Sequence, residues 1–314
     1  PMDEQAELAR LAALSPLDYD RQRGDAARAL GIRPATLDKA VKGLQAEQAD
    51  AARAGGFFEP VEPWPDPVDG AALLAELVAV VHRHIACKDN TAQAAALWIV
   101  FTWCIDAAQV APIACITAPE KRCGKTQLLT LIGELCRDPM PASNITAAAL
   151  FRAVEEWKPT LLLDECDAFM AGNDELRGIV NSGHSRQSAF VVRTVGDSHE
   201  PRMFTTWCAK CVAGIGRRAA TIEDRSITIR LRRKLPGERT ERLRGLRIAD
   251  ELRPLGERIA RWAADNFGVL HAATPAIPDG LNDRAADNWE PLLAIADAAG
   301  GEWPERARQT ALLI

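Results

Sequence analysis

The 314-residue sequence has no excess of positive charge: 38 Lys and Arg stand against 43 Asp and Glu, a formal net charge of −5. Nucleic-acid contact must therefore come from local basic patches and not from the chain as a whole. The sequence also lacks an apolar run long enough to span a bilayer. Its most apolar stretch, residues 94–105, stops at Asp106, which excludes a membrane span there. That stretch is expected to be a buried helix, with Asn90 as N-cap and Gln93 three residues on. No secretory pattern opens the sequence, and with its cysteines this points to a cytoplasmic protein in a reducing environment. Zinc-site spacing is missing too. Cys208-Ala209-Lys210-Cys211 has no second pair, and in a strand its two thiols point to opposite faces. His82, His84 and Cys87 fall on a predicted helix, where residues two apart do not share a face, so no metal site is expected.

What is present is an apolar strand, Ile113–Thr117, running into Gly124-Lys125-Thr126. Some forty residues later a second apolar strand, Thr160–Leu163, ends in Asp164-Glu165. The first is one half of an ATP-hydrolysing P-loop site. Backbone N–H groups of Glu120, Lys121, Arg122, Cys123 and Gly124 would cradle phosphates, with Lys125 offsetting their charge, Thr126 holding Mg²⁺ and Gln127 following. The second supplies Asp164 for the Mg²⁺ shell and Glu165 to polarise the attacking water. Pro119 stands where the first glycine of the motif belongs; it has no N–H and cannot take positive φ, so the loop must enter by a different turn. Phosphoryl transfer also needs a cation at the γ-phosphate. Among the arginines after Gly216, Arg225 is favoured as an arginine finger projecting into a neighbour's site, with Arg217 or Arg218 as alternatives and a salt bridge to Asp224 as the plain reading.

Four segments follow from composition and periodicity. Residues 1–48 are helix formers broken at Gly31–Pro34, with Ala27, Gly31 and Leu37 spaced as in a helix-turn-helix and Thr36, Asp38, Lys39 and Lys42 facing outward; a plain helical bundle is the alternative. Residues 49–70 form a Pro/Gly-rich linker, or a strap pinned by Phe57, Phe58 and Trp64. Residues 71–239 alternate strand and helix signals, which implies an α/β fold with a mainly parallel sheet and helices on both faces. Within them Ala142–Ile145 is a candidate short strand, Thr146 a helix cap, and Ala189–Val195 with Met203–Trp207 a hairpin turning near Gly196-Asp197. Residues 240–314 read as helical, with breaks at 275–280 and 300–304.

The runs TAPEKRCGKTQLL, PTLLLDECDAF, ELRGIVNSGH, VAGIG, EDRSITIRLRR and LNDRAADNWEPLLAIADAAGGEWPERAR resemble an uncharacterised family of phage and mobile-element P-loop ATPases. Its members are usually attached to primase-type domains and are similar to AAA+ and superfamily 3 replicative helicases. The resemblance covers roughly residues 70–314, and members often carry Pro at the position of Pro119. It implies an AAA+-like P-loop core with a helical, lid-like C-terminal region. It further implies a ring-forming motor such as a hexamer, with ATP and Mg²⁺ as cofactors, single-stranded or forked DNA as partner, a possible primase partner, and no membrane. It also implies that the hairpin Phe190–Trp207 reaches into the pore, with Arg186, Arg193, His199 and Arg202 meeting the DNA backbone and His184 beside them. One departure stands out. The strand Cys211–Gly216 offers no polar sensor, for which Thr205, Thr206 or Lys210 would have to substitute. An ATP-switched DNA-binding regulator or loader is the second reading. A defence ATPase would need an effector domain that no segment supplies.

Overall fold

The computed structural model describes residues 10–11, 16–34, 36–39, 41, 57–142, 145–165, 173–195, 199–216, 219–243 and 245–314. Lys42, Gly196, Asp197, Arg217 and Arg218 lie outside the described residues, as do the strap positions before Phe57. Two compact units emerge, residues 1–60 and 61–314.

In the first unit, helix α1 (Pro16–Ala29) ends at Gly31, whose φ of 67° is the left-handed conformation that glycine adopts without penalty. Ile32 N donates to Ala27 O at 3.0 Å and Gly31 N to Arg28 O at 3.3 Å, the paired bonds of a Schellman stop. Beyond the turn, positions 34, 36–39 and 41 are helical. Leu11, Ala26, Ala27, Leu37 and Val41 form the core, so Ala27, Gly31 and Leu37 hold the places their spacing predicted. Thr36 and Lys39 face outward, but Asp38 does not. It accepts from the Tyr19 hydroxyl at 2.9 Å and from Arg23 at 2.7 and 2.5 Å, so it stitches the two helical segments together.

The second unit opens with α2 (Gly70–His84), capped by Asp69, whose carboxylate accepts from Ala72 N at 2.7 Å. Helix α3 (Asp89–Cys104) is buried on nearly every side. It begins at Asp89, before the expected cap. Asn90 accepts only from Thr91 N, and Gln93 accepts from the Thr310 hydroxyl at 2.5 Å. A tertiary contact has taken Gln93, and a neighbouring N–H has taken Asn90.

The main sheet holds β1 (Ile113–Ala118), β2 (Pro139–Pro141), β3 (Thr160–Leu163), β6 (Lys210–Ile215) and β7 (Ser226–Arg230), in spatial order β2-β3-β6-β1-β7 and all parallel. Side chains alternate between faces. Ala114, Ile116 and Ala118 join one core with Cys211, Ala213, Ile227 and Ile229, while Ile113, Cys115, Leu161, Leu163 and Val212 are buried on the other side. Of the expected strand at Ala142–Ile145, residues 143–144 lie outside the described residues, and the described strand is β2, Pro139–Pro141. Two prolines argue against a strand except at a sheet edge, and β2 is an edge, paired only with β3.

Helix α4 (Lys125–Leu135) packs on the first face, together with α2, α3 and the C-terminal helices α8 (Gly245–His271), α9 (Asp283–Ala299) and α10 (Trp303–Leu313). These helices share one core across residues 71–239 and 240–314. Three indole N–H groups fasten it: Trp98 to Pro112 O, Trp103 to Leu135 O and Trp303 to Ala71 O, at 2.9, 2.9 and 3.0 Å. The strap is held by backbone more than by its rings. Trp64 N donates to Glu257 O at 3.0 Å, and Arg261 donates to Trp64 O and Pro65 O at 3.3 and 2.6 Å.

Between β3 and β6 the chain forms α6 (Asp174–Ser182) and a two-stranded antiparallel hairpin, β4 (Phe190–Val195) and β5 (Glu200–Thr205). The hairpin packs on α6 and on α5 (Ala147–Trp157), which Thr146 caps. Lys210, at the amino end of β6, is buried, and its ammonium donates to Gly183 O, Thr206 O and Cys208 O at 3.2, 3.2 and 2.8 Å. All three of its donors are satisfied, which is what makes a buried cation tolerable. Cys208 thus precedes the strand that holds Cys211, and the Cys208–Cys211 segment serves this anchor.

Gly183 is the counterpart of that anchor, because an added Cβ would stand 2.1 Å from Thr206 O and 2.3 Å from Lys210 Nζ. Gly183→Ala is expected to destabilise the protein by roughly 3 kcal/mol or more, combining overpacking with a disturbed buried charge. Gly178→Ala, in open space on the same helix, is expected to stabilise by about 0.5 kcal/mol. Thermal melts of the two variants check the contrast; equal melting temperatures would refute it.

Candidate functional site

The carboxyl ends of β1 and β3 lie on the same side of the sheet because every pairing is parallel, and β6 is the only strand between them. After β1 the chain does not cross to a neighbour at once. It turns through Pro119–Gly124 and enters α4 at Lys125. Two residues of this turn have left-handed backbone, Arg122 at φ 65° and Gly124 at φ 87°. Glycine takes such a conformation freely, but arginine is strained by it. Strain of this kind persists only where surrounding structure enforces it. The result is a tight loop at a helix N-terminus, where N–H groups lack intrahelical partners and the helix dipole favours an anion.

Thr126 Oγ1 donates to Asp164 Oδ2 at 3.0 Å, so the two halves of the motif meet. Asp164 Oδ1 accepts from the backbone N of Glu165 at 2.9 Å, and Glu165, exposed, has a left-handed φ of 49°. Lys125 Nζ donates to Glu120 O at 3.1 Å, which lays the ammonium back across the loop. Lys121 and Arg122 are exposed, whereas Cys123 is buried beneath the loop. Gln127 leaves the loop altogether. Its amide donates to His84 O and Glu241 O at 2.7 and 2.8 Å, and so ties α4 to the end of α2 and to the segment after β7. Cavities of about 450 and 380 Å³ flank the loop. The first runs beside Thr126, Thr130, Glu134 and Asp164, and the second beside Thr117, Pro119, Gly216 and Arg230.

Arg225 is at the other end of the sheet. Its carbonyl accepts from Ile113 N at the start of β1, and its guanidinium donates to Thr221 O at 2.8 Å. A six-residue strand at about 3.3 Å per residue separates it from the loop by roughly 15–20 Å. The substitutes for the absent sensor also lie at that end and are occupied, which removes them from consideration. Thr205 Oγ1 donates to Ala189 O, Thr206 Oγ1 accepts from Ser182 Oγ, and Lys210 is the anchor described above. At the carboxyl end of β6 the polar contact is Thr117 Oγ1 donating to Gly216 O at 2.8 Å.

The hairpin arginines share one face of the ribbon, where Arg193 is half-buried and Arg202 exposed. Arg193 pairs with Glu175 at 2.8 Å and lies over the Phe151 ring; Arg202 sits 3.9 Å from Glu155 and over Phe204. Phe190, Val192 and Met203 occupy the exposed face. His199, exposed with φ 53°, lies between the two strands. Arg186 is far from a pore role in its contacts: it donates to Asp106 O and Ala108 O and covers the Trp207 ring. The structure therefore does not gather these four residues on one basic surface. Alternation along each strand would have shown that Arg193 and Arg202 share the packed face.

His184 is buried, with Nε2 2.7 Å from Asn288 Oδ1; Asn288 Nδ2 donates to Asp224 O at 3.0 Å. Asn282 caps α9 and Arg284 lies 3.5 Å from the Asp224 carboxylate. The NDRAADNW run thus docks α9 against the turn that carries Arg225. Among the described residues, no group of three or more His, Cys, Asp or Glu could hold a metal, and no helix is long and apolar enough to cross a membrane.

Comparison with known proteins adds a coarse result. A family model described as "Protein of unknown function (DUF3631)" matches residues 230–314. The "Uncharacterized 28.9 kDa protein in xis 5'region" of Saccharopolyspora erythraea is 44% identical over 82 residues, which is 26% of this chain. The chain spans 30% of that relative's length.

Burial holds the His184 imidazole below its ordinary pKa of 6.5, helped by the cations Arg225, Arg284 and Lys210 and opposed by the bond to Asn288. A lowered folded-state pKa means that the unfolded chain binds more protons here. Stability is then full above the ordinary imidazole range and falls as pH drops through and below it. His184→Gln is expected to flatten the loss of stability between about pH 7 and pH 5. Chemical denaturation across that range tests this, and parallel curves for variant and wild type would count against it.

Proposed function

We propose that this chain is a P-loop ATPase of the AAA+ and superfamily 3 type, acting as an oligomeric DNA helicase or translocase for a phage or mobile element. The observation that carries the reading is the 3.0 Å contact of Thr126 Oγ1 with Asp164 at the carboxyl end of a parallel sheet. The sheet order supports it. From β1 the chain moves outward to β2 and β3, returns through β6, and ends with β7 on the other side of β1. Ligands of open α/β sheets bind at such a reversal, outside the strand ends.

The donor set fits ATP with Mg²⁺. A hydroxyl beside a single carboxylate matches a hard cation that keeps most of its waters and takes further oxygens from phosphate. The bound nucleotide and its cation would supply the transferable phosphoryl group and neutralise part of its charge. The loop N–H groups hold the phosphates, and Lys125, once released from Glu120 O, adds a mobile cation. Asp164 fixes the Thr126 hydroxyl, and Glu165 accepts the proton of an attacking water. Arg225 lies too far from its own loop to assist there, and in this reading it serves the site of a neighbouring copy in an oligomer. The relative's name, with its xis 5' region, agrees with a mobile-element setting. A primase partner, a ring such as a hexamer, and a cytoplasmic location complete this reading. For the hairpin, contact with single-stranded DNA falls to His199 and the exposed Phe190 face, since Arg193 and Arg202 are engaged on α5 and α6.

The second reading, a nucleotide-switched DNA-binding regulator or loader, draws on the Schellman-closed turn of the first unit, which suits a helix-turn-helix. A forked-DNA unwinding assay separates the two.

Steady-state ATP hydrolysis provides the test. Lys125→Ala is expected to abolish it, and Arg225→Ala to lower kcat by about 10³-fold. Mixing Arg225→Ala with Glu165→Gln subunits should restore part of the rate, because each supplies what the other lacks. Single-stranded DNA should stimulate the wild type. A wild-type rate indifferent to any nucleic acid would refute the motor, and an absence of restoration would refute Arg225 acting in trans.

A further inference from the structure

The arginines after β7 are not equivalent. Arg232 is locked: its guanidinium donates to Glu238 at 2.8 and 2.5 Å, and Glu238 also accepts from Leu235 N at 2.7 Å. This closes residues 232–238 into a rigid turn. The same segment is fixed at its start by Leu231 N donating to Thr117 O. Further on, Glu241 N donates to Arg83 O, and Glu241 O accepts from Gln127. A segment anchored at three points therefore crosses beside the phosphate loop, and between the anchors it presents Arg233. The Arg233 guanidinium stands 3.6 Å from the Glu120 carboxylate, with both side chains more than half exposed.

Glu120 thus holds two cations in two ways. Its backbone carbonyl accepts from Lys125, and its carboxylate attracts Arg233. An exposed ion pair at this distance contributes little to stability. It keeps a cation close without immobilising it. A triphosphate entering the loop carries several charges and would outcompete the carbonyl for Lys125 and the carboxylate for Arg233.

We infer that Glu120 is a parking residue and that Arg233 is a triphosphate-reading residue acting on its own chain's site, distinct from Arg225 acting on a neighbour's. The inference rests on the nucleotide reading above. Glu120 lowers affinity by placing a negative charge in a loop built for anions. It also makes access to Arg233 conditional on a ligand with enough charge to displace it. The terminal phosphate decides the outcome, so the device separates ATP from ADP.

The test is calorimetric titration of the full chain with Mg²⁺ and either ATPγS or ADP, in the wild type, Arg233→Ala, Arg233→Lys, Glu120→Gln and the double variant Glu120→Gln/Arg233→Ala. Both positions are exposed, and unchanged melting temperatures establish that the variants fold. Arg233→Ala should weaken ATPγS about tenfold and ADP less than about twofold, with Arg233→Lys recovering part of the difference. Glu120→Gln should tighten ATPγS, and the double variant should lose at least about threefold of that gain, since the two side chains are coupled. Equal losses for both nucleotides, a silent Arg233→Ala, or an additive cycle overturns the parking device while leaving a nucleotide site in place. A wild type that binds neither ATPγS nor ADP overturns the nucleotide reading and this inference with it.

Discussion

The parallel pairing of β1 with β6 on one side and β7 on the other is the constraint on which the rest depends. Parallel strands need crossovers, and crossovers put helices on the faces, so β1 is buried on both sides and apolar except for Thr117 near its carboxyl end. All polar function is thereby expelled to the strand ends. At the carboxyl end it produces the loop, Thr126, Asp164 and Glu165. At the amino end it produces Arg225, His184 and the Lys210 anchor. The two ends are a strand apart, so the loop with Thr126 and Asp164 stands on one side of the sheet and Arg225 on the other.

Much of this was legible in the sequence. Strands β1, β3 and β6, the cap at Thr146 and the Schellman glycine all follow from local chemistry that needs no distant partner. Elsewhere distant contacts decide. Pro139 and Pro141 can form β2 only because it is an edge, and edge status is decided by the whole sheet. Asn90 and Gln93 looked like a capping box, yet the helix starts at Asp89 and Gln93 spends its amide on Thr310. Gln127 follows the GKT run but is occupied by two carbonyls from residues 84 and 241, which no sequence window brings together. The hairpin arginines were an avoidable miss. Their cross-strand register, Arg193 opposite Arg202, puts both on the face that packs against α5 and α6.

The C-terminal run also gains a physical meaning. Asn282, Arg284, Asn288 and Trp289 are, respectively, a helix cap, an ion-pair partner of Asp224, a bridge between His184 and Asp224, and a core side chain. Two of the four, Arg284 and Asn288, meet Asp224 in the turn that precedes β7. The segment matched by the family model is therefore the buttress of the Arg225 turn, and it shares a core with helix α4. Residues 230–314 act as a brace between the two ends of the sheet more than as an independent lid.

A brace of this kind decides how the site can respond. The segment after β7 is tied to the loop helix through Gln127 and Glu241, to α2 through Arg83, and to β1 through Thr117. Displacing the loop before α4 strains these ties, so rigid-body movement of the loop is costly while side-chain exchange at its surface is cheap. Lys125 and Arg233 lie at that surface, and each is held by a weak, exposed contact to Glu120. The fold thus places its adjustable parts on side chains and its fixed parts in backbone. A response to charge in the loop therefore begins with two cations changing partners, before any helix moves.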